Sequence, residues 1–468
     1  MEVPVENTSA LPKPLHKMGV WSLTLVTAAL FLTLRNMPMM AETGLQMIFF
    51  NVVTVFAYLI PVALVSAELA TGWPHNGVYH WVGAAFGTRW GFAAVWLQWI
   101  QSIFGMTSIT AYIAATLAYV WNPGLAQNKF FIVGVILTVY WLATFANFKG
   151  TKFSSRISAV CVSVGVLLPT LALIGLSAYY IYNGSPVNLT YSPEWKDWIP
   201  SIQDTKNLVL FLSFIFGFVG VEVSASHARE VHNPTKNYPI AIFTAAIVGF
   251  ILTLLGGLAV AVLIPAKSIN PIEGAAYSFQ VLAQSFHIPW LLPLAAGLIA
   301  FGAAGQVSTW VIGPVKGLFA ATHDGHFFSV FKKSNAKGIP VNLLYLQAIL
   351  ISLISGFFLI APNINTAFII LTNVAVVLYS SMYILMYLSA IYLRFTQPNH
   401  PRPYRVPGGN VGMGCIAGVG LLTAGACLII GFIPAGLAGI SIKSFTITMS
   451  LIIMFVIALP FIFKREKI

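Results

Sequence analysis

The stretch FIFGFVGVEVSASHAREVHNP, residues 214–234, begins as an apolar run of the kind that crosses a membrane. It is interrupted by Gly217 and Gly220, and it carries a carboxylate, Glu222. An interrupted span is tolerated only where it is buried in protein or lines a cavity, because backbone groups in hydrocarbon lack partners. The glycines alone are equally consistent with close helix packing. Glu222 favours a polar pathway or proton relay, with a structural hydrogen bond to a neighbouring helix as the alternative.

The composition indicates a polytopic membrane protein. Of the 468 residues, 58% are hydrophobic and 8% are charged, and the mean hydropathy is +0.85. Apolar runs of about 20 residues cross a bilayer, and roughly twelve are predicted. They are 19–42, 47–69, 91–120, 129–148, 157–182, 206–228, 239–264, 289–321, 341–361, 365–394, 412–434 and 444–463. The more polar segment 71–91 is predicted to lie in, or re-enter, the interface.

The positions of the charges predict the orientation of the chain. The net charge is +12, but Lys and Arg lie in short connections between apolar runs, without the basic stripe that nucleic acid requires. Nucleic acid is therefore not an expected partner. The basic residues within 149–156, 332–337 and 402–405 face the cytoplasm if the N-terminus does. With an even number of spans, residues 1–18 and 464–468 are both predicted to be cytoplasmic tails.

A second interrupted span is predicted near the start of the chain, in AALFLTLRNMPMMAETG, residues 28–44. Polar residues and Pro38 break this apolar run, and proline removes a backbone donor and clashes with the preceding turn. Five spans separate the starts of the two interrupted elements, which is the spacing of a five-plus-five inverted repeat followed by two helices. The predicted division is a first repeat at 19–182, a second inverted repeat at 206–394 and two additional helices at 412–463.

Arg35 lies inside the first predicted span. Its guanidinium stays charged at physiological pH and is too deep for its head to reach water easily. One interpretation is that Arg35 binds an anionic group of a substrate. The alternatives are that the span begins and ends later than predicted, or that Arg35 pairs with Glu222 or Glu42.

Three stretches resemble the amino acid–polyamine–organocation (APC) superfamily: GFVGVEVSASHAREVHNPTKNYP (217–239), STWVIGPVKGLFAATHDGHF (308–327) and RPYRVPGG (402–409). Within it, the chain is most similar to the bacterial glutamate:GABA antiporter family, over nearly its whole length. The resemblance implies an all-α polytopic membrane protein of LeuT-type fold. Its site would lie between broken first and sixth helices, with contributions from the third, eighth and tenth. It also implies exchange of amino acids across a bacterial inner membrane by alternating access.

The resemblance assigns roles to individual residues. Glu222 matches a glutamate at the break of the sixth helix, Phe216 an aromatic gate, and Trp310 a tryptophan of the eighth helix. Tyr379 and Tyr383 match tyrosines of the tenth. The candidate substrate-binding residues are Thr33, Arg35, Gly217, Gly220, Glu222, Trp310, Tyr379 and Tyr383. The candidate gating residues are Phe216, Glu222 and Gln306.

Two residues depart from the pattern of the glutamate:GABA antiporters. Arg35 stands where an aromatic residue is expected, and Gln306 stands where a glutamate is expected. Both changes make the pathway more positive. They favour an acidic substrate such as glutamate or aspartate over GABA.

Other chemistry is predicted to be absent or minor. His227 is a candidate pH sensor, because imidazole titrates near neutrality, although a lone histidine at a helix end more often caps the helix or lies in the interface. No cofactor or metal site is predicted, since the histidines have no ligand arrangement with carboxylates or cysteines. The usual hydrolase, metalloprotease and P-loop motifs are missing, so an enzyme is not expected.

The leading hypothesis is an antiporter of acidic amino acids. A proton-coupled amino acid symporter is an alternative, in which Glu222 gains and loses a proton during the cycle. A glutamate/GABA exchanger is a further alternative, and a non-transporting amino acid sensor is a distant one. In each case the partners are amino acids and the lipid bilayer.

Overall fold

A computed structural model describes residues 19–74, 77–150, 159–189, 192–201, 205–224, 231–433 and 442–463. These residues form fifteen α-helices and no β-strand. The helices are α1 (Val20–Phe31), α2 (Met37–Ala41), α3 (Gln46–Gly72), α4 (Val78–Phe86), α5 (Thr88–Trp121), α6 (Lys129–Phe148), α7 (Ala159–Tyr182), α8 (Thr205–Phe216), α9 (Pro234–Leu263), α10 (Gly274–Ser285), α11 (Leu291–His323), α12 (Val341–Ile360), α13 (Ile364–Thr396), α14 (Gly409–Ile430) and α15 (Ile442–Ile462). The predicted tails 1–18 and 464–468 and the candidate pH sensor His227 lie outside the described residues.

Eleven segments of the described chain are long and apolar enough to cross a membrane. They correspond to the second to twelfth predicted spans, with ends shifted by a few residues. The all-helical, polytopic class is therefore confirmed. The first predicted span, 19–42, is not among the eleven, because no single helix runs through it.

The first span is divided into α1 and α2. The last α-helical bond of α1 joins the Leu32 amide to the Ala28 carbonyl, and Leu32 and Thr33 then adopt extended conformations. The Thr33 hydroxyl accepts from the amide of Arg35 at 3.2 Å, and Pro38 occupies the first turn of α2. A proline suits this position because its missing N–H would have no intrahelical partner there. The interruption predicted at these residues is present in the structure.

The second interruption follows α8. Within the described residues of the predicted span 206–228, the α-helix ends at Phe216, residues 217–220 form turns and residues 221–224 form a single 3₁₀ segment. Gly220 has φ +105°, and a Cβ placed there would lie 2.5 Å from Cζ2 of Trp310. Glycine is required at this point both by the backbone conformation and by the close approach of the indole ring.

The segment 71–91, predicted to be interfacial, contains the short helix α4. Val78, Tyr79, Trp81 and Val82 of this helix are buried, and the indole N–H of Trp81 donates to the Trp73 carbonyl at 3.0 Å. The helix packs against α5, α11 and α13. It is therefore part of the protein core as well as a connection between two spans.

A buried ion cluster connects the RPYRVPGG stretch, residues 402–409, to the helix bundle. Glu68 in α3 receives two hydrogen bonds of 2.8 Å from Arg394 in α13. Its Oε1 lies 3.4 Å from Nε of Arg402, and its Oε2 accepts from the Val406 amide at 2.7 Å. One carboxylate thus joins two spans to the connection that follows the second of them.

Replacing Gly220 with alanine is expected to lower the free energy of unfolding by roughly 1–3 kcal/mol, because a side chain is strained at this φ and collides with Trp310. Gly414→Ala is the matched control, since a Cβ there meets nothing within 4 Å. Thermal unfolding of the purified protein in detergent measures both. Equal unfolding temperatures for the two variants would contradict the requirement for glycine.

Glu68→Gln is expected to destabilise the protein by about 3–5 kcal/mol, because it leaves the buried guanidinium of Arg394 without its carboxylate. Glu194→Gln, which changes an exposed carboxylate, serves as the control. The same thermal measurement applies. An unfolding temperature of the Glu68 variant within a degree of wild type would show that the cluster does not hold the connection.

Candidate functional site

The two interruptions border one small cavity inside the bundle. Its volume is about 30 Å³, and α1, α5, α8 and α11 contribute to its walls together with the two breaks. The residues that line it are Leu30, Phe31, Thr33, Arg35, Asn36, Gln101, Gly105, Met106, Ile109, Phe216, Val219, Gln306 and Trp310. This volume suits a water molecule or two. An amino acid enters only if the surrounding side chains move apart.

Arg35 is the charged residue of this cavity, and it is 1% exposed. Its Nη2 donates to the hydroxyls of Ser108 and Thr372 at 2.7 and 2.8 Å. The guanidinium carbon lies 4.7 Å from the ring centroid of Phe216 and 4.8 Å from that of Phe368. Within the described residues Arg35 makes no ion pair, so the pairing with Glu222 or Glu42 considered above is not present there.

Three buried polar atoms on the wall of this cavity have no hydrogen-bond partner in the described part of the chain. They are Nε of Arg35, Nδ2 of Asn36 and Oε1 of Gln101. Buried polar atoms are nearly always paired, so such a cluster needs an explanation. Two of the atoms are donors, which suit a carboxylate, and the third is an acceptor, which suits an ammonium group. The set therefore matches the two charged groups that every α-amino acid carries.

Side chains of α11 satisfy the backbone of the first interruption. Nε2 of Gln306 donates to the Leu32 carbonyl at 2.6 Å, and the indole N–H of Trp310 donates to the Leu30 carbonyl at 3.0 Å. These carbonyls lie at the end of α1, where the helix supplies no partners. Gln306 and Trp310 thus stabilise the interruption as well as lining the cavity.

Glu222 lies in a second polar cluster, and it is 2% exposed. Its Oε1 accepts from the Tyr379 hydroxyl and from Nε2 of Gln98, the latter at 3.3 Å. Its Oε2 accepts from the Tyr383 hydroxyl at 2.5 Å. Tyr379 also contacts Trp310 edge to face, with ring centroids 6.3 Å apart. A chain of contacts therefore connects Glu222 to the wall of the first cavity.

A second cavity, of about 100 Å³, adjoins Glu222. It is lined by Gly77, Val78, Gln98, Glu222, Val223, Gly313, Lys316 and Gly317. It combines one carboxylate, one ammonium group and one amide with glycine-rich walls. The Trp310–Tyr379 contact connects the linings of the two cavities, since Trp310 lines the first and Tyr379 binds the carboxylate that lines the second.

The structure distributes the predicted site residues over both clusters. The first cavity is lined by Thr33, Arg35, Phe216, Gln306 and Trp310. The second cluster contains Glu222, Tyr379 and Tyr383. The two glycines line neither cavity. A Cβ at Gly217 would lie 2.7 Å from Cε of Met40, and Gly220 packs against Trp310. The close-packing interpretation of these glycines therefore describes part of what they do.

Sequence reasoning missed the polar residues of α5 and α13 that complete the two clusters. They are Gln98, Gln101, Ser108 and Thr372. The signal that could have found them is their presence in apolar spans, where polar side chains usually face the bundle interior. The first three lie in the run WLQWIQSIFGMTS, residues 96–108.

Comparison with known proteins identifies the family. Residues 18–458 match the family described as "Amino acid permease". An "Uncharacterized transporter" of Legionella pneumophila is 38% identical over 89% of this chain and 89% of its own length. A "Glutamate/gamma-aminobutyrate antiporter" of Lactococcus lactis is 34% identical over 95% of this chain and 90% of its own length. A "Probable agmatine/putrescine antiporter" of the same species is 24% identical over 79% of this chain and 78% of its own.

These matches confirm the resemblance to the APC superfamily and the prediction that the protein is not an enzyme. The residues that match the family, 18–458, contain both interruptions and both polar clusters of this chain. An amino acid permease needs a cavity within a bundle of spans, and the described helices enclose one. The chain belongs to the amino acid permease family of membrane transporters.

Proposed function

We propose that the protein is an antiporter that exchanges an acidic amino acid, glutamate or aspartate, for another amino acid by alternating access. The observation that carries this proposal is Arg35. A buried guanidinium is costly in a membrane span unless it is compensated, and within the described residues Arg35 has hydroxyls and aromatic rings as neighbours but no carboxylate. A substrate carboxylate supplies the missing compensation.

The unpartnered atoms beside Arg35 support the same class of substrate. Asn36 and the free Nε of Arg35 offer donors, and Gln101 offers an acceptor on the facing helix. An acidic amino acid carries two carboxylates and one ammonium group, so it uses more of these positive and donor groups than a neutral amino acid does. Gln306, where glutamate is expected in the family pattern, removes a negative charge from the same wall.

The second cluster supports a role as a gate. Glu222 follows the second interruption, whereas Tyr379 and Tyr383 belong to α13, so their hydrogen bonds join two elements that have to separate for passage. Trp310 lines the cavity and contacts Tyr379 of this connection, and Phe216 is a second aromatic side chain on the cavity wall. In the proposed cycle, these contacts hold the pathway closed on one side of the substrate while the other side opens.

We further propose that the helices form a LeuT-type five-plus-five arrangement and that both termini are cytoplasmic. The two interruptions fall in the first and sixth predicted spans, as a LeuT-type five-plus-five arrangement requires, with repeats at 19–182 and 206–394 and two additional helices at 412–463. The positive-inside rule supports cytoplasmic termini. The bacterial origin of the relatives supports an inner-membrane location.

A glutamate/GABA exchanger is the second candidate, because two Lactococcus lactis relatives carry that name. GABA has one carboxylate, so it too can bind Arg35. The two functions differ in which internal amino acid supports exchange. The counterflow experiment below therefore includes GABA among the internal substrates.

Arg35→Gln is expected to reduce glutamate exchange roughly 10- to 100-fold, because a hydrogen-bonded charge contributes about 1.5–3 kcal/mol to binding. The measurement is uptake of radiolabelled glutamate into proteoliposomes preloaded with glutamate, aspartate, GABA or buffer alone. Arg405→Gln is the control, since Arg405 is an exposed arginine in the connection after α13.

The outcomes of this experiment separate the candidates. Uptake that requires internal glutamate or aspartate, and that falls in the Arg35 variant alone, supports acidic exchange. Equal uptake into liposomes loaded with buffer alone would contradict antiport and favour the proton-coupled symporter. Unchanged exchange in the Arg35 variant would remove the argument for acidic specificity.

Tyr379→Phe is expected to weaken the gate, because it removes one donor to Glu222 and keeps the ring. The readout is labelling of Thr33→Cys, in a background with the three native cysteines replaced by serine, by a thiol reagent added to inside-out vesicles. Loss of one hydrogen bond to a charged group shifts a closed population roughly tenfold toward open, so labelling should accelerate by about that factor. Tyr345→Phe is the control, since the Tyr345 side chain lies on the exposed face of α12.

A further inference from the structure

A large apolar groove lies outside the two clusters, at one end of the helix bundle. Its volume is about 590 Å³, and all of its lining residues except Ser329 are apolar. Trp96 and Trp99 of α5, Leu346 and Leu350 of α12, and Phe463 after α15 form its walls. The segment 327–331, between α11 and α12, also lines it. The mechanism proposed above does not use this groove.

The groove is apolar because the polar atoms of its walls face inward. The indole N–H of Trp96 donates to the Val456 carbonyl at 3.0 Å, and that of Trp99 donates to Oε1 of Gln347 at 2.7 Å. Both rings therefore present hydrocarbon to the groove while their donors are satisfied elsewhere. A polar ligand would find few partners on such walls, whereas an acyl chain needs none.

The position of the groove corresponds to a membrane interface and the hydrocarbon below it. The start of α5, the start of α12 and the end of α15 meet there. Trp96 lies about 12 Å along α5 from Thr88, and Leu350 about 14 Å along α12 from Val341, at 1.5 Å per residue. Phe328 and Val330, which line the groove, are 52% and 54% exposed, as suits side chains that contact lipid.

Basic residues follow the apolar lining directly. Lys332 and Lys333 come immediately after Phe331, and within the described residues neither ammonium group makes a hydrogen bond or ion pair. Arg89, at the start of α5, is exposed and lies over the ring of Phe461, near Phe463. The carboxylate of Asp324 is engaged by the Tyr79 hydroxyl. An apolar groove with cations at its interfacial end is complementary to a lipid with a negative headgroup.

We propose that this groove binds an anionic phospholipid, with an acyl chain between α5, α12 and the end of α15 and the headgroup beside Lys332 and Lys333. The site is independent of the substrate cavity, because the two share no lining residue. The lipid bridges α12 and α15 across a gap that protein side chains leave open.

The test is native mass spectrometry of the purified full chain with phosphatidylglycerol and with phosphatidylcholine of identical acyl chains. Wild type is expected to bind phosphatidylglycerol more tightly. Lys332→Gln together with Lys333→Gln should weaken that binding roughly 30-fold, from about 5-fold per lysine, and should leave phosphatidylcholine binding unchanged. Lys236→Gln together with Arg405→Gln is the control, since both are exposed cations away from the groove, Lys236 in the first turn of α9 and Arg405 in the connection after α13.

A second variant tests the apolar part of the groove. Leu350→Trp fills the groove and should reduce binding of both lipids, while glutamate counterflow in liposomes and the unfolding temperature without added lipid stay near wild type. Equal affinity of wild type for the two lipids would overturn the proposal. So would a change of oligomeric mass in Leu350→Trp without a change in lipid binding, because the groove would then be an interface between copies.

Discussion

Every other feature of the site depends on satisfying an interrupted backbone in a medium that offers no partners. Hydrocarbon cannot hydrogen-bond to the carbonyls at the end of α1, so the protein has to supply the donors. Gln306 and Trp310 of α11 do so by reaching Leu32 and Leu30. These two hydrogen bonds stabilise the start of the unwound segment, which carries Arg35 and borders the cavity.

The same constraint explains why the polar groups of this bundle occur in clusters. Arg35 is surrounded by two hydroxyls and two aromatic rings, and Glu222 accepts hydrogen bonds from two tyrosines and a glutamine. Glu68, in turn, is held by two arginines and a backbone amide. A charge inside a span is tolerated when several neighbours share its compensation, and each cluster therefore joins several spans. In the Arg35 and Glu222 clusters, the hydrogen bonds that join the spans are therefore also the ones that position the candidate functional residues.

The carboxylates of two clusters are paired more completely than the polar groups beside Arg35, although Nε of Arg402 next to Glu68 also makes no hydrogen bond within the described residues. Both carboxylate oxygens of Glu68 and of Glu222 have partners. Around Arg35, by contrast, three polar atoms on one cavity wall have none within the described residues. Leaving a buried donor or acceptor without a hydrogen bond costs free energy. A ligand that supplies the missing hydrogen bonds therefore gains most by binding beside these atoms. The small cavity volume means that this contribution is coupled to movement of the walls.

The sequence alone was sufficient for the class of protein, because hydropathy and glycine or proline positions act locally along the chain. Eleven apolar runs, the interruption around Arg35 and the one after Phe216 were all predicted from such patterns. Only the tertiary structure decided which polar residues meet. Arg35 and Thr372 are 337 positions apart, and Glu222 and Tyr383 are 161 apart. Contacts over such distances depend on how the spans pack against one another, and residue spacing within a single helix carries no information about that packing.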